Sequence, residues 1–199
     1  DHVKLILPQA GQQKPNLPYL VDEKPQVDEP RPIMRDYTPL NYDERLNTIE
    51  LDFALHAGNG PAMQWAKTAP IGQWAGRAGP RGSWAIASGL DWYVLLGDET
   101  ALPAIERCLQ ERPFDGPMMV RIACADPRDQ RAWALGEQVD MRYVSTLDGV
   151  LDTLSLDAGT GFIWGAGEHN QMAALRTALL EQGLHARQMH LSAYWRAED

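Results

Sequence analysis

Between Leu90 and Tyr194 the chain alternates short apolar runs with stretches of helical length, and this alternation constrains the fold more than any other feature. Trp92 to Leu96 is apolar throughout, and Gly97 to Thr100 reads as a tight turn. Leu102 to Gln110 has helical spacing, with Pro103 tolerated because it falls in the first turn. A second apolar run covers Pro117 to Ala125, followed by an expected helix over Asp129 to Glu137 and a strand over Met141 to Val144. Gly161 to Gly165 then reads as strand, Glu168 to Gln182 as helix and Gln188 to Tyr194 as a last strand. Strands that alternate with helices in this way predict a parallel sheet.

The first half follows a different pattern. Val3 to Leu7 is a short apolar strand ended by Pro8, and Gln9 to Pro32 reads as a long exposed loop. Met34 to Thr38 is a strand, with Pro39 to Asp43 and Asn47 marking a turn beyond it. Thr48 to His56 alternates as a strand with Ile49, Leu51, Phe53 and Leu55 on one face. Gly60-Pro61 opens a short helix through Met63, Trp65 and Ala66, and strand-like pieces continue to Ser88. These pieces fit the later part of a small antiparallel barrel. The predicted organisation is β followed by α/β, with domains at 1–89 and 90–199. The chain opens directly on a strand without an initiator Met, so it is expected to begin inside a domain.

Composition narrows the function. A net charge of -9 over 199 residues argues against nucleic acid, which calls for a clustered basic face. No apolar run reaches the length of a membrane span. Cys108 and Cys124 lack metal-ligand spacing and are expected as buried thiols, as in a reducing compartment. Two thiols are too few for an iron–sulfur cluster, and no zinc-ligand set or Gly-x-Ser-x-Gly elbow is present. Electron chemistry in such a chain would use an organic cofactor.

Arg35-Asp36-Tyr37-Thr38 has the form Arg-x-Tyr-Thr, and three of its positions offer different contacts to a flavin. The guanidinium can fork onto a pyrophosphate, the phenol ring can lie against an isoalloxazine, and the hydroxyl can bond a ring nitrogen. Alone, the tetrapeptide equally fits an ordinary strand. Gly97-Asp-Glu-Thr-Ala follows an apolar strand and opens a helix, where free N–H groups favour an anion such as a dinucleotide phosphate. The alternative is a tight turn whose acidic residues complement the helix dipole. Gly165-Ala-Gly167-Glu168 is expected to repeat that turn, and Gly60-Pro61-Ala62 is a third anion-friendly helix start. Arg81, in a Gly-Pro-rich turn, is either solvated or facing a phosphate.

In combination these stretches resemble the siderophore-interacting protein family of flavin-dependent ferric-siderophore reductases, in the ferredoxin reductase-like superfamily. The resemblance runs almost end to end. It rests on Asp1-His2-Val3-Lys4-Leu5, Arg35-x-Tyr37-Thr38-Pro39, Leu51-Asp-Phe53-x-Leu-His56, Gly60-Pro-Ala-x-x-Trp65-Ala66 and Gly79-Pro-Arg-Gly-Ser83. In the second half it rests on Gly97-Asp-Glu-Thr-Ala-Leu-Pro-Ala104, Gly165-Ala-Gly-Glu168 and Ser192-Ala-Tyr-Trp-Arg196.

The resemblance implies an antiparallel flavin-binding β-barrel followed by an NAD(P)H-binding parallel α/β domain, with the first barrel strands lying upstream of Asp1. It implies FAD held by Arg35, Tyr37 and Thr38, with His56, Gly60, Pro61 and Ala62 near the pyrophosphate. Gly97, Glu99, Thr100 and Gly165 would border NADPH or NADH. Leu40 departs from relatives that carry Arg after the proline, and the tail matches a shorter-tailed branch. The implied activity is cytoplasmic reduction of a ferric siderophore, with no catalytic base needed and no resident metal. Lys4, Arg81 and Arg196 are the cations that would meet a polyanionic siderophore, or else three solvated charges. Asp126 would favour a ribose hydroxyl, and Arg128 and Arg131 a 2′-phosphate, which leans toward NADPH. Tyr194 and Trp195 are expected either near the flavin or as plain sheet packing. Competing expectations are a general NAD(P)H:flavin or ferric-chelate reductase, and a siderophore-binding protein without turnover.

Overall fold

A computed structural model describes residues 2–55, 60–80, 85–111, 116–156 and 159–197. The chain divides into two compact units, Asp1–Trp84 and Ala85–Asp199.

The first unit carries strands β1 (Val3–Leu7), β2 (Tyr19–Val21), β3 (Lys24–Gln26), β4 (Ile33–Tyr37), β5 (Pro39–Asp43) and β6 (Thr48–Leu51), then helix α1 (Pro61–Thr68) and β7 (Gly76–Ala78). Its apolar strand β1 is central because four of its five residues are buried. It pairs antiparallel with β4, setting Val3 opposite Tyr37 and Leu5 opposite Arg35, and with β7 on its other side. Leu5, Leu7 and Ala62 form the core, with Ile33, Tyr37, Leu51, Phe53 and Trp65 packed against it.

Two expectations change here. The stretch expected as a loop holds the β2–β3 hairpin, turned by Asp22 and Glu23, both at positive φ. All six of its strand residues are exposed, so no burial pattern could reveal it. Residues 39–43, expected as a turn, are strand β5 paired to β6, with Asn47 at positive φ in the hairpin turn.

The second unit holds β8 (Trp92–Gly97), α2 (Leu102–Glu111), β9 (Met118–Ala123), β10 (Val139–Val144), β11 (Gly161–Glu168), α3 (His169–Glu181) and β12 (Met189–Trp195). The five strands are all parallel, in the order β10-β9-β8-β11-β12. Every residue of β8 and β9 is buried, as strands covered on both faces must be. Tyr93 and Leu95 face α2 residues such as Ile105, while Val94 and Leu96 face Leu175 and Leu179 of α3. The chain order reverses between β8 and β11, and in open α/β sheets ligands bind outside the carboxyl ends at such a point.

The helix expected over Asp129 to Glu137 is not formed; a short 3₁₀ turn spans Pro127–Asp129 and the chain then runs irregularly. Arg131, Trp133 and Leu135 are half-buried while their neighbours are exposed, a period of two rather than 3.6. Trp133 lies against Tyr143, whose hydroxyl binds the backbone N–H and carbonyl of Arg131. Cys124 is buried and Cys108 half-buried, both as free thiols; burial and then Glu111 push Cys108 up to about 11.

Arg121 is the fully buried charge of the β9 core, at 0 % exposure. Its guanidinium donates to the Asp140 carboxylate at 2.7 Å, to the Asp140 and Thr153 carbonyls at 2.8 and 3.1 Å, and to the Thr153 hydroxyl at 3.2 Å. It thereby fastens the edge strand β10 to the loop before β11. Arg121→Ala is expected to lower the unfolding free energy by about 2–3 kcal/mol, since carbonyls lose donors and a cavity opens. Arg121→Met, which keeps the volume, should recover much of that loss in urea unfolding.

Candidate functional site

In the first unit, Arg35, Tyr37 and Thr38 follow one another along β4 and the link to β5. Arg35 is exposed, its Nη1 donating to the neighbouring Met34 carbonyl at 2.8 Å. Tyr37 is half-buried with its ring 4.5 Å from Phe53, and burial raises its phenol pKa despite the nearby Arg35. Thr38 is half-buried. Gly60 is the N-cap of α1 and supplies no capping side chain; Pro61 is its first residue, and Ala62 is buried in the cluster that includes Tyr37. The Arg-x-Tyr-Thr strand and the Gly-Pro-Ala helix start are thus brought to one core. His56 and Arg81 lie outside the described residues. Trp65, beside Phe53, has a buried Nε1 with no hydrogen-bond partner among the described residues. A buried donor in this condition is what an acceptor on a bound group satisfies. With an exposed guanidinium, a half-buried phenol and a half-buried hydroxyl beside it, the donor set fits FAD.

Lys4 does not stand as a free cation. Its Nζ lies 2.6 Å from the Asp36 carboxylate, directly across the β1–β4 ladder. Asp36 is the variable position of the Arg-x-Tyr-Thr motif, and the pair is exposed on both sides.

In the second unit a cleft of about 280 Å³ opens at the carboxyl ends of the strands, lined by residues including Asp98, Glu99, Ser145, Thr146, Glu168 and Trp195. At its centre is Asp98, the residue after β8, only 6 % exposed. One carboxylate oxygen accepts from the Thr100 N–H at 2.9 Å and the Thr100 hydroxyl at 2.5 Å. The other accepts from the Glu168 N–H at 3.1 Å and from Trp195 Nε1 at 2.7 Å. A buried carboxylate without donors would cost several kcal/mol, and here four donors offset that cost.

The glycines expected to cradle the nucleotide have packing reasons. A Cβ on Gly97 would stand 2.4 Å from the Ala101 Cβ and 3.0 Å from the Ala166 carbonyl oxygen. One on Gly165 would stand 2.7 Å from Leu191, and Gly165 lies inside β11 rather than in a turn. The two helix starts expected to attract an anion already hold carboxylates of the chain. Asp98 caps the 3₁₀ turn Glu99–Ala101, and Glu168 caps α3 by accepting from the Asn170 and Gln171 N–H groups at 2.6 and 3.0 Å. Thr100 is engaged by Asp98, and Glu99 accepts from the Ala125 N–H at 3.1 Å, bridging the ends of β8 and β9.

Among the described residues no Lys or Arg lines the cleft, while three carboxylates do. Such a wall suits a neutral or cationic ring better than a phosphate. Asp126 pairs with the exposed Arg128, and Arg131 pairs with Glu106, so the acidic and basic side chains expected to compete for the ribose are largely engaged within the protein. Asp98 fits the alternative reading of its stretch, a tight turn whose acidic residues complement the helix dipole, while its link to Glu168 and Trp195 was not read from the sequence; Arg196 is exposed beyond the end of β12.

The architecture is that of the ferredoxin reductase-like class, an antiparallel unit followed by a parallel α/β unit with a cleft at the switch point. Residues 1–84 match the siderophore-interacting FAD-binding domain, and residues 90–198 match the siderophore-interacting protein model. The chain belongs to the siderophore-interacting protein family. It is 26 % identical to the ferric vibriobactin reductase ViuB of Vibrio cholerae over 98 % of this chain and 76 % of that one. It is 29 % identical to the NADPH-dependent ferric-chelate reductase of Escherichia coli K12, covering all of this chain and 80 % of the relative. The crystal structure of a siderophore utilization protein from T. fusca superposes with a TM-score of 0.87 at 32 % identity, over all of this chain and 80 % of that one.

Glu168 yields a pH test. Partial burial alone would raise its carboxyl, but the N–H groups of Gln171, Ala197 and Asn170, with His169, hold it below its ordinary 4.5. A lowered carboxyl pKa lends stability that is complete above pH 4.5 and is lost as the pH falls through the lowered value. The difference in melting temperature between wild type and Glu168→Gln should therefore hold above about pH 4.5 and narrow as the pH falls below it.

Proposed function

We propose that the protein is an FAD-dependent reductase that passes electrons from NADPH to a ferric siderophore and so releases ferrous iron. The observation that carries this reading is the union in one chain of an FAD-binding domain match with a cleft lined by Asp98, Glu99 and Glu168 at the switch point of a parallel sheet. The named reductases among its relatives, which this chain matches nearly throughout, support the substrate class. Bound FAD would supply the conversion from a two-electron donor to a one-electron acceptor, which ferric iron requires.

The protein's own residues bind and orient. Arg35 would fork onto the pyrophosphate, with His56, Gly60, Pro61 and Ala62 beside it. Tyr37, its ring backed by Phe53, would lie against the isoalloxazine, and the Thr38 hydroxyl would bond a ring nitrogen. Gly97, Glu99, Thr100 and Gly165 would border the nicotinamide nucleotide. Glu99 and Glu168 line the cleft, and their carboxylates would favour a ring whose charge becomes more positive as it gives up hydride. No general base is assigned, because electron transfer to iron moves no proton at a protein atom. Ferrous iron is held less tightly by hard oxygen ligands, so reduction is release.

Among the described residues no helix is long and apolar enough to cross a membrane. We place the reaction in the cytoplasm, where NADPH is supplied. Arg81 and Arg196 would meet the anionic siderophore, with Lys4 contributing less because Asp36 neutralises it. That ion pair favours a second, wider reading, in which ferric chelates in general are accepted.

The test is an anaerobic visible spectrum of the FAD-loaded protein. NADPH should bleach the flavin band, and a ferric triscatecholate should restore it; a flavin that never bleaches with either nicotinamide overturns the reading. Arg35→Ala should weaken FAD binding roughly tenfold or more, read by flavin fluorescence on titration. Comparable reoxidation by ferric citrate would decide for the wider substrate range.

A further inference from the structure

We infer that Asp98 is a positioning residue of the reductase, fixing the Trp195 indole at the mouth of the nicotinamide cleft so that the ring of the incoming nucleotide meets a preset wall. The inference rests on the functional reading above and extends it to two residues which that reading leaves without a task.

Trp195 ends β12 and remains 44 % exposed, so burial alone does not fix the orientation of its ring. A charge-assisted hydrogen bond, 2.7 Å from Nε1 to the Asp98 carboxylate, ties it down across 97 residues of sequence. A cap for the turn after β8 needs only the Thr100 contacts. The second oxygen of Asp98 is directed instead to β11 and β12, through the Glu168 N–H and the Trp195 indole.

Two backbone features permit this. A Cβ at Gly167 would stand 2.7 Å from the Asp98 carboxylate oxygen, so a side chain there would drive the carboxylate out. The register of β11 against β12 also slips at this point: Gly167 faces Ala193, but Glu168 faces Trp195, leaving Tyr194 as an extra residue. A slip of this kind re-aims a side chain at the end of a sheet. Here it sets the indole opposite Glu168 and within reach of Asp98, while Tyr194 turns its ring edge-on to Trp164. Gly167, the slip, Asp98 and Trp195 form one arrangement whose product is a half-exposed aromatic plane of fixed orientation among the residues that line the cleft.

A preset aromatic wall lowers the ordering cost of binding a planar ring. Trp195→Phe keeps the ring and removes the donor. In the FAD-loaded protein it should weaken NADP⁺ binding roughly tenfold and raise the KM for NADPH more than it lowers kcat. Its melting temperature should stay within a few degrees of wild type, since the side chain is half-exposed. Asp98→Asn, which turns one acceptor oxygen into a donor facing N–H groups, should show the same binding defect. The double variant should be no worse than Asp98→Asn alone, as expected for two residues acting through one bond. The wild type is titrated first: if it holds FAD but takes no nicotinamide nucleotide, the functional reading falls and this inference with it. If the wild type binds NADP⁺ and Trp195→Phe binds equally well, the inference alone is overturned.

Discussion

A carboxylate removed from water has to be surrounded by donors, and at Asp98 those donors come from the ends of separate strands. Much of the second unit is arranged so that they arrive together. β8 must be the central strand, bearing Asp98 at its carboxyl end, and β11 must lie beside it so that the Glu168 N–H is in reach. β12 must continue far enough along β11, with its register slipped, for Trp195 to enter. Gly97 and Gly167 are required by the closeness of that approach rather than by a ligand. The cleft at the switch point is what remains after the strand ends have been drawn in around one buried charge.

The sequence shows the parallel sheet well because its strands are covered on both faces. A run such as Trp92 to Leu96 is apolar at every position, and a helix of that length would not be. It shows the exposed hairpins poorly for the opposite reason: β2 and β3 bury nothing, and positive φ at Asp22 and Glu23 falls on residues that do not announce it as glycine would. The segment from Asp129 to Glu137 is rich in helix formers, yet tertiary packing of Trp133 and Leu135 holds it irregular and extended. The strand carrying Arg35 and Tyr37 and the helix start at Gly60-Pro61-Ala62 were legible as elements because each is a short local pattern. The reach of Asp98 to Glu168 and Trp195 was not, because they lie 70 and 97 residues away and no local pattern encodes that contact.

The same distinction separates glycine as a motif from glycine as a contact. Gly97 and Gly165 stand in stretches that resemble nucleotide cradles, and the stretches do border the cleft. Yet each glycine is explained by what its own Cβ would strike, and the helix termini beside them are filled by Asp98 and Glu168. An anion-binding helix start needs its N–H groups free, and these are not. The cleft is therefore acidic where a phosphate site would be basic, and its chemistry follows from the carboxylates rather than from the glycines.

That conclusion bears on how an acidic chain can act on an anionic chelate. Among the described residues seven cationic side chains are engaged in ion pairs, including Lys4 with Asp36, Arg121 with Asp140, Arg128 with Asp126 and Arg131 with Glu106. With a net charge of -9, the protein as a whole repels a polyanion at long range. Recognition on the reductase reading then has to be local and short-lived, resting on a few arginines and screened by salt beyond about 8 Å. Weak holding suits the reaction. A reductase that gripped the chelator tightly would retain it after the iron had left, and product release would limit turnover. An acidic surface favours departure of the reduced chelate, which carries one more negative charge than the ferric complex.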